Sequence, residues 1–185
     1  MKYSLIILLT IVVIVLPLSQ SKAQFNINAE KLKDLEGAWF YQDEKIDFMV
    51  VLKHRKVNIL ETQKSNVFGY IKLLVDGILI CDNLKFVEFL NSKNSFDFNE
   101  IYDIKNHPNR IPPIIISANE KGISGGIKIL ENANPVNFTV KFEDDHLVLE
   151  FINYQSRLDK KITKLENYPF PAVPSTWVLK KKVGK

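Results

Sequence analysis

From Val136 to Phe151 polar and apolar residues alternate in two runs. Val136, Phe138, Val140 and Phe142 fall on one side, and Asn137, Thr139, Lys141 and Glu143 on the other. After Glu143-Asp144-Asp145, Leu147, Leu149 and Phe151 resume the apolar side. A period of two is the strand period, so these runs predict an antiparallel hairpin with one buried and one wet face. Ile46, Phe48, Val50 and Leu52 alternate in the same way with Asp47, Met49, Val51 and Lys53. A polar turn is predicted at Lys53 to Lys56, with Val57 and Ile59 on a second strand and Asn66 to Val75 on a third. Asp76-Gly77 is a tight hairpin signal leading into Ile78 to Cys81. Further strands are predicted at Ile114 to Ser117 and Gly126 to Leu130, around a turn at Asn119 to Gly122. The last runs from Thr176 to Lys181, after Pro169, Pro171 and Pro174.

Two stretches break the pattern. In residues 28–37 Leu32 and Leu35 share a helical face, Asn28 suits the N-cap and Gly37 suits a left-handed stop. Residues 82–112 have no clean period. Leu84, Val87 and Leu90 have helical spacing, but Phe86 and Phe89 blur it. Structureless loops this long are uncommon in compact domains, so a short helix or an extra strand is expected there. Many short strands, frequent turns and one leading helix point to a closed antiparallel barrel or a sandwich, all-β in either case. Closure also removes edge strands. The expectation is a barrel of about eight to ten strands with a helix at residues 28–35.

The chain start belongs to neither pattern. Lys2 is followed by an apolar run from Leu5 to Leu16 that only Thr10 interrupts, and Pro17 ends it. Ser21 and Ala23 place small residues before Gln24. This is the pattern of a secretory signal peptide cleaved after Ala23. The run falls short of the ~20 residues that cross a bilayer core, so no stable membrane anchor is expected after cleavage. The expected organisation is a signal peptide over 1–23 and one domain over 24–185, secreted or periplasmic.

Length and charge add exclusions. The chain has 185 residues and a formal charge of +4, and removing residues 1–23 takes away Lys2 and Lys22 and no acid, leaving +2. That is a poor footprint for nucleic acid, and none is expected as a partner. One cysteine, Cys81, excludes an intrachain disulfide framework and a thiolate zinc site.

Leu35-Glu36-Gly37-Ala38-Trp39 resembles the Gly-X-Trp opening of the lipocalin-like, or calycin, barrels. In those barrels the tryptophan plugs the narrow end, a short helix closes the bottom, and a cationic side chain late in the last strand packs over the indole. The resemblance implies that Gly37 and Trp39 form the barrel base, with Lys180 or Lys182 nearest to the cationic position, where arginine is usual. The whole chain looks closer still to an uncharacterised family of exported bacterial proteins. That resemblance rests on the signal peptide, Gly-X-Trp, Val51-Leu52-Lys53, Phe68-Gly69-Tyr70, Asp76-Gly77 and the Pro174 to Lys181 close. It implies no activity.

Chemistry-bearing groups are sparse. His54, His107 and His146 are not spaced as a helical metal pair. Asp144-Asp145-His146 reads as a solvated turn, and Cys81 as a buried thiol. The acidic neighbours Asp43-Glu44 and Asp97 to Glu100 are not opposed pairs of the kind general acid–base work needs. Gly122-Ile123-Ser124-Gly125-Gly126 matches the nucleophile-elbow spelling, but its all-β context suits a turn or bulge. No catalytic residue, metal site or cofactor is expected, and the protein is not read as an enzyme. Inward positions Phe48, Val50, Ile71, Leu73, Phe138, Val140, Leu149 and Phe151 are the candidate lining for a small hydrophobic ligand. The alternative is a filled core, with loops, residues 82–112 above all, that bind an envelope component or another exported protein.

Overall fold

The computed structural model describes residues 24, 27–103, 106–107, 110–128, 135–152 and 176–182. The expected signal peptide at 1–23, the end of the strand expected at Gly126 to Leu130 and the prolines at 169, 171 and 174 lie outside the described residues. A helical stretch, α1 (residues 27–35), ends in a 3-10 turn at Leu32–Leu35. Ten strands follow: β1 (Gly37–Gln42), β2 (Ile46–Ile59), β3 (Thr62–Val75), β4 (Ile78–Asp82), β5 (Ser95–Asp97), β6 (Ile114–Asn119), β7 (Gly122–Ile127), β8 (Val136–Glu143), β9 (His146–Phe151) and β10 (Thr176–Lys181). Between β4 and β6 lie a 3-10 turn at Leu84–Phe86, helix α2 (Val87–Asn91) and helix α3 (Phe98–Ile101).

Eight strands close a ring in the order β1-β2-β3-β6-β7-β8-β9-β10, each antiparallel to its neighbours. Closure is made by β10 on β1, with Trp39 opposite Lys181 and Phe40 opposite Lys180. This is an up-and-down barrel, which leaves no unpaired edge in the ring. β3 is long enough to pair twice on one side, with β6 at Asn66–Gly69 and with the β4 hairpin at Lys72–Val75.

The polar turn expected at Lys53 to Lys56 is strand. β2 and β3 are paired without interruption from Ile46–Val75 to Ile59–Thr62, and the chain reverses at the exposed Leu60 and Glu61. Fourteen residues span about 45 Å, so this hairpin overshoots the barrel wall. Its charges have partners: Lys53 Nζ lies 3.3 Å from Glu36, and Arg55 Nε donates to the Leu90 carbonyl at 2.6 Å.

The overshoot explains a second core. Val57, Phe68 and Tyr70 point outward from β2 and β3, yet they are buried under Leu90, Phe96 and Ile101 of the 82–112 segment. That segment therefore holds both short helices and a short strand, with β5 lying parallel to β2. Arg55 stitches it to the barrel: the guanidinium also donates to the His54 carbonyl at 2.6 Å and stands 3.8 Å from Glu36. The Tyr70 hydroxyl donates to the Arg110 carbonyl, and burial pushes its pKa up. Among the described residues no helix is long and apolar enough to cross a membrane.

Candidate functional site

The barrel has a closed end and an end where α1 is absent. At the closed end α1 packs against β2 and β3 and buries Leu32 and Leu35 in the interior cluster. Asn28 lies within the helical stretch rather than at its cap. Its amide donates to the Asn119 carbonyl at 2.8 Å, tying α1 to the β6–β7 turn. Trp39 is 1% exposed, and its Nε1–H donates to the Leu35 carbonyl at 2.9 Å. The Phe142 ring stands edge-on to it at 5.6 Å. Gly37 opens β1 at φ +146°, and a Cβ there would meet Lys181 Cε at 3.2 Å. Glycine thus serves both the backbone conformation and the close approach of a lysine stem.

That lysine corrects the sequence reading. Lys181 Nζ sits 5.4 Å from the Trp39 ring centroid. Lys180 and Lys182, the residues the resemblance offered there, are each one position off. Trp177 and Leu179 of β10 are buried and Val178 is exposed, so the inward series of two continues to Lys181 and leaves Lys180 outside.

The eight candidate lining residues all belong to the interior. Phe48, Val50, Ile71, Leu73, Phe138, Val140 and Leu149 are buried in one cluster, and the half-buried Phe151 packs against it. The structure adds residues the sequence reading did not single out. Trp177 is fully buried at the end away from α1, with Phe48 tilted against it at 4.5 Å, Tyr41 stacked at 5.7 Å and Phe151 edge-on at 5.3 Å. The signal for Trp177 was present, because it shares the two-residue alternation of β10 with Leu179.

The interior wall is closely fitted. A Cβ on Gly125 of β7 would lie 2.6 Å from the Ile115 carbonyl oxygen and 2.8 Å from Phe138 Cζ. Phe138 therefore occupies the volume that a side chain at 125 would take. A surface depression of about 240 Å³ lies across β1, β2 and β3, bordered by Phe40, Tyr41, Phe48, Met49, Lys72 and Leu74.

Polar groups near the aromatic cluster are few. The Tyr41 hydroxyl donates to Asp43 Oδ2 at 2.7 Å, and burial first, then this bond, raises its pKa. Asp43 is held below the usual carboxylate range, chiefly by the Lys45 backbone N–H and then by Tyr41. The Trp177 Nε1–H is buried and has no hydrogen-bond partner. Among the described residues two other buried polar atoms share that state, His54 Nε2 on β2 and Ser95 Oγ on β5.

Nothing in the geometry assembles a reactive centre among the described residues. No group of three His, Cys, Asp or Glu side chains could hold a metal ion. Ser124 stands mid-strand in β7, opposite Ser117 and Thr139, not at a strand-to-helix turn. Burial pushes the Cys81 thiol up to about 11.

An eight-stranded antiparallel barrel, closed at one end by a short helix and a buried tryptophan, is compatible with a lipocalin-like fold. The chain itself belongs to a family of unknown function, DUF6705, whose profile matches residues 1–182. No curated protein and no solved structure matches it.

Proposed function

We propose that this is an exported binding protein, secreted or periplasmic after loss of residues 1–23, that takes one small apolar molecule at the barrel end opposite α1. The observation that carries the reading is the asymmetry of the two ends. One is sealed by α1, Trp39 and Lys181. The other presents an aromatic cluster whose Tyr41 and Phe151 are only half-buried. Eight-stranded barrels either fill with side chains or hold one small ligand, and half-buried rings are the ones that can yield. The proposal includes no catalytic step, no metal and no cofactor.

Apolar walls give affinity mainly by removing ligand surface from water. At about 25 cal/mol per Å², burying about 300 Å² of ligand is worth about 7 kcal/mol before the costs of association. Micromolar binding is then reachable. The test is titration with a fluorescent fatty acid at tens of micromolar, paired with native mass spectrometry of protein purified from its source. Saturable binding or a co-purifying apolar molecule supports the reading.

The close fit around Gly125 and Phe138 favours a second reading, a filled-core module that binds an envelope or exported protein. Flat titrations across several ligand classes, with the protein folded, select it.

A further inference from the structure

We propose that the ligand carries a hydrogen-bond acceptor, a ketone, ester or carboxylate oxygen, and that the Trp177 indole N–H is the donor that selects it. This inference rests on the ligand-binding reading above and names the chemical class of ligand for that site.

The two tryptophans of the barrel make the argument. Both are inward-facing, on neighbouring strands β1 and β10, and both are buried. Trp39 closes the base, and its N–H is satisfied within the fold by the Leu35 carbonyl. Trp177 stands in the opposite half, and its N–H is equally buried and unmet. Buried indole N–H groups normally find a partner, and each exception calls for an explanation. A filling side chain needs no donor. Phenylalanine would complete the stack with Tyr41, Phe48 and Phe151 without stranding a polar atom. The hydroxyl of Tyr41, whose ring stacks on Trp177, is committed to Asp43. Of the other two unmet atoms, His54 Nε2 belongs to the part of β2 beside Glu36, and Ser95 Oγ to β5 on the second core. Among the described residues Trp177 alone combines an unmet donor with the end assigned to the ligand. An apolar pocket with one convergent donor discriminates by that donor, because an analogue without the acceptor leaves it unsatisfied.

The experiment compares matched pairs that differ by one carbonyl: acetophenone with ethylbenzene, and benzophenone with diphenylmethane. Affinities are read by displacement of a bound fluorescent fatty acid from wild type and Trp177→Phe. Independently, the two indole N–H signals of ¹⁵N-labelled wild type are followed by NMR. The expected result is a downfield shift of the Trp177 N–H with each ketone and not with its hydrocarbon. The ketone-to-hydrocarbon affinity ratio should fall about tenfold in Trp177→Phe, with hydrocarbon affinity nearly unchanged. If both members bind with an unmoved Trp177 signal, or if the ratio survives Trp177→Phe, the inference is overturned while the binding reading stands. If neither member displaces the probe and the probe itself does not bind, both fail together. The wild-type NMR arm decides the matter even if Trp177→Phe does not fold.

Discussion

Replacing Trp39 by alanine removes a side chain that is simultaneously plug, donor and platform. Large-to-small changes of a buried tryptophan cost about 3–5 kcal/mol, through lost transfer energy and the cavity left behind. Two further contacts go with the ring: the 2.9 Å bond to the Leu35 carbonyl and the Lys181 ammonium 5.4 Å from the ring centroid. Trp39→Phe separates these effects. It keeps an aromatic ring but strands the Leu35 carbonyl and leaves a smaller void, so about 1–2 kcal/mol is expected. Lys181→Met should cost about 0.5–1 kcal/mol in wild type and nothing further in Trp39→Ala, because the cation–π partner is already gone. Lys180→Met should stay within about 0.5 kcal/mol. Urea unfolding followed by circular dichroism reads all of these. With a slope near 2 kcal/mol per M, a loss of about 4 kcal/mol lowers the midpoint by about 2 M. A loss below about 1 kcal/mol for Trp39→Ala would refute the plug. Equal effects of Lys180→Met and Lys181→Met would refute the register argument.

Other consequences are open to measurement. Gly125→Ala should destabilise by about 1–3 kcal/mol despite alanine's lower backbone entropy cost, because the added carbon would meet the Ile115 carbonyl at 2.6 Å; an unchanged urea midpoint would show that the strand yields. Val140→Trp should abolish binding of the fluorescent fatty acid while the protein stays folded, and retained binding would place the ligand away from that wall. His54 is held below its ordinary pKa, chiefly by burial, against the opposing pull of Glu36. The folded state then binds fewer protons than the unfolded one, so its contribution is complete above about pH 6.5 and is lost as pH falls through the folded value. Stability measured from pH 8 to 5 should fall less in His54→Gln than in wild type. Cys81, with its thiol pushed up to about 11, is ~0.1% thiolate at pH 8, so iodoacetamide should label the folded protein far more slowly than the unfolded chain.

The parts of the fold legible in the sequence are those where one face is wet. β8 announces itself because Asn137, Lys141 and Glu143 are exposed and Thr139 half-buried while Phe138 and Val140 face inward. The same rule failed on β2 beyond Lys53. There the outward face is itself covered, so Arg55 and Val57 are both buried and the polar run looks like a turn. Residues 82–112 showed no period because their elements are three to five residues long, too short for a helix or strand pattern to repeat. The lysine over Trp39 was missed by one residue, and a one-residue slip changes the face of a strand completely. Trp177 was readable as inward from its spacing to Leu179. Its unmet N–H was not, since satisfaction of a donor depends on partners that sequence does not place.

The distribution of packing decides which part of the barrel can be a site at all. The base is braced on two sides. Inside it Leu32, Leu35 and Trp39 seal the interior, and outside it Arg55 joins β2 to the Leu90 carbonyl and to Glu36. Opening there breaks apolar contacts and strands a buried guanidinium, which is among the costliest single losses in a fold. Leu90, Phe96 and Ile101 of the 82–112 segment cover the outer wall and are committed to Phe68 and Tyr70. At the opposite end the same accounting gives another answer. Phe48 and Trp177 are fully buried, but Tyr41 and Phe151, which both pack on Trp177, are only half-buried. Displacing a half-buried ring forfeits only part of its burial, and a ligand ring placed against Trp177 restores the stacking it replaces. An acceptor on that ligand recovers more, because the unmet indole N–H is a cost the free protein already carries. Selectivity in such a barrel therefore follows from where the fold leaves a donor unsatisfied, and affinity from how much aromatic surface can be exchanged at the half-buried end.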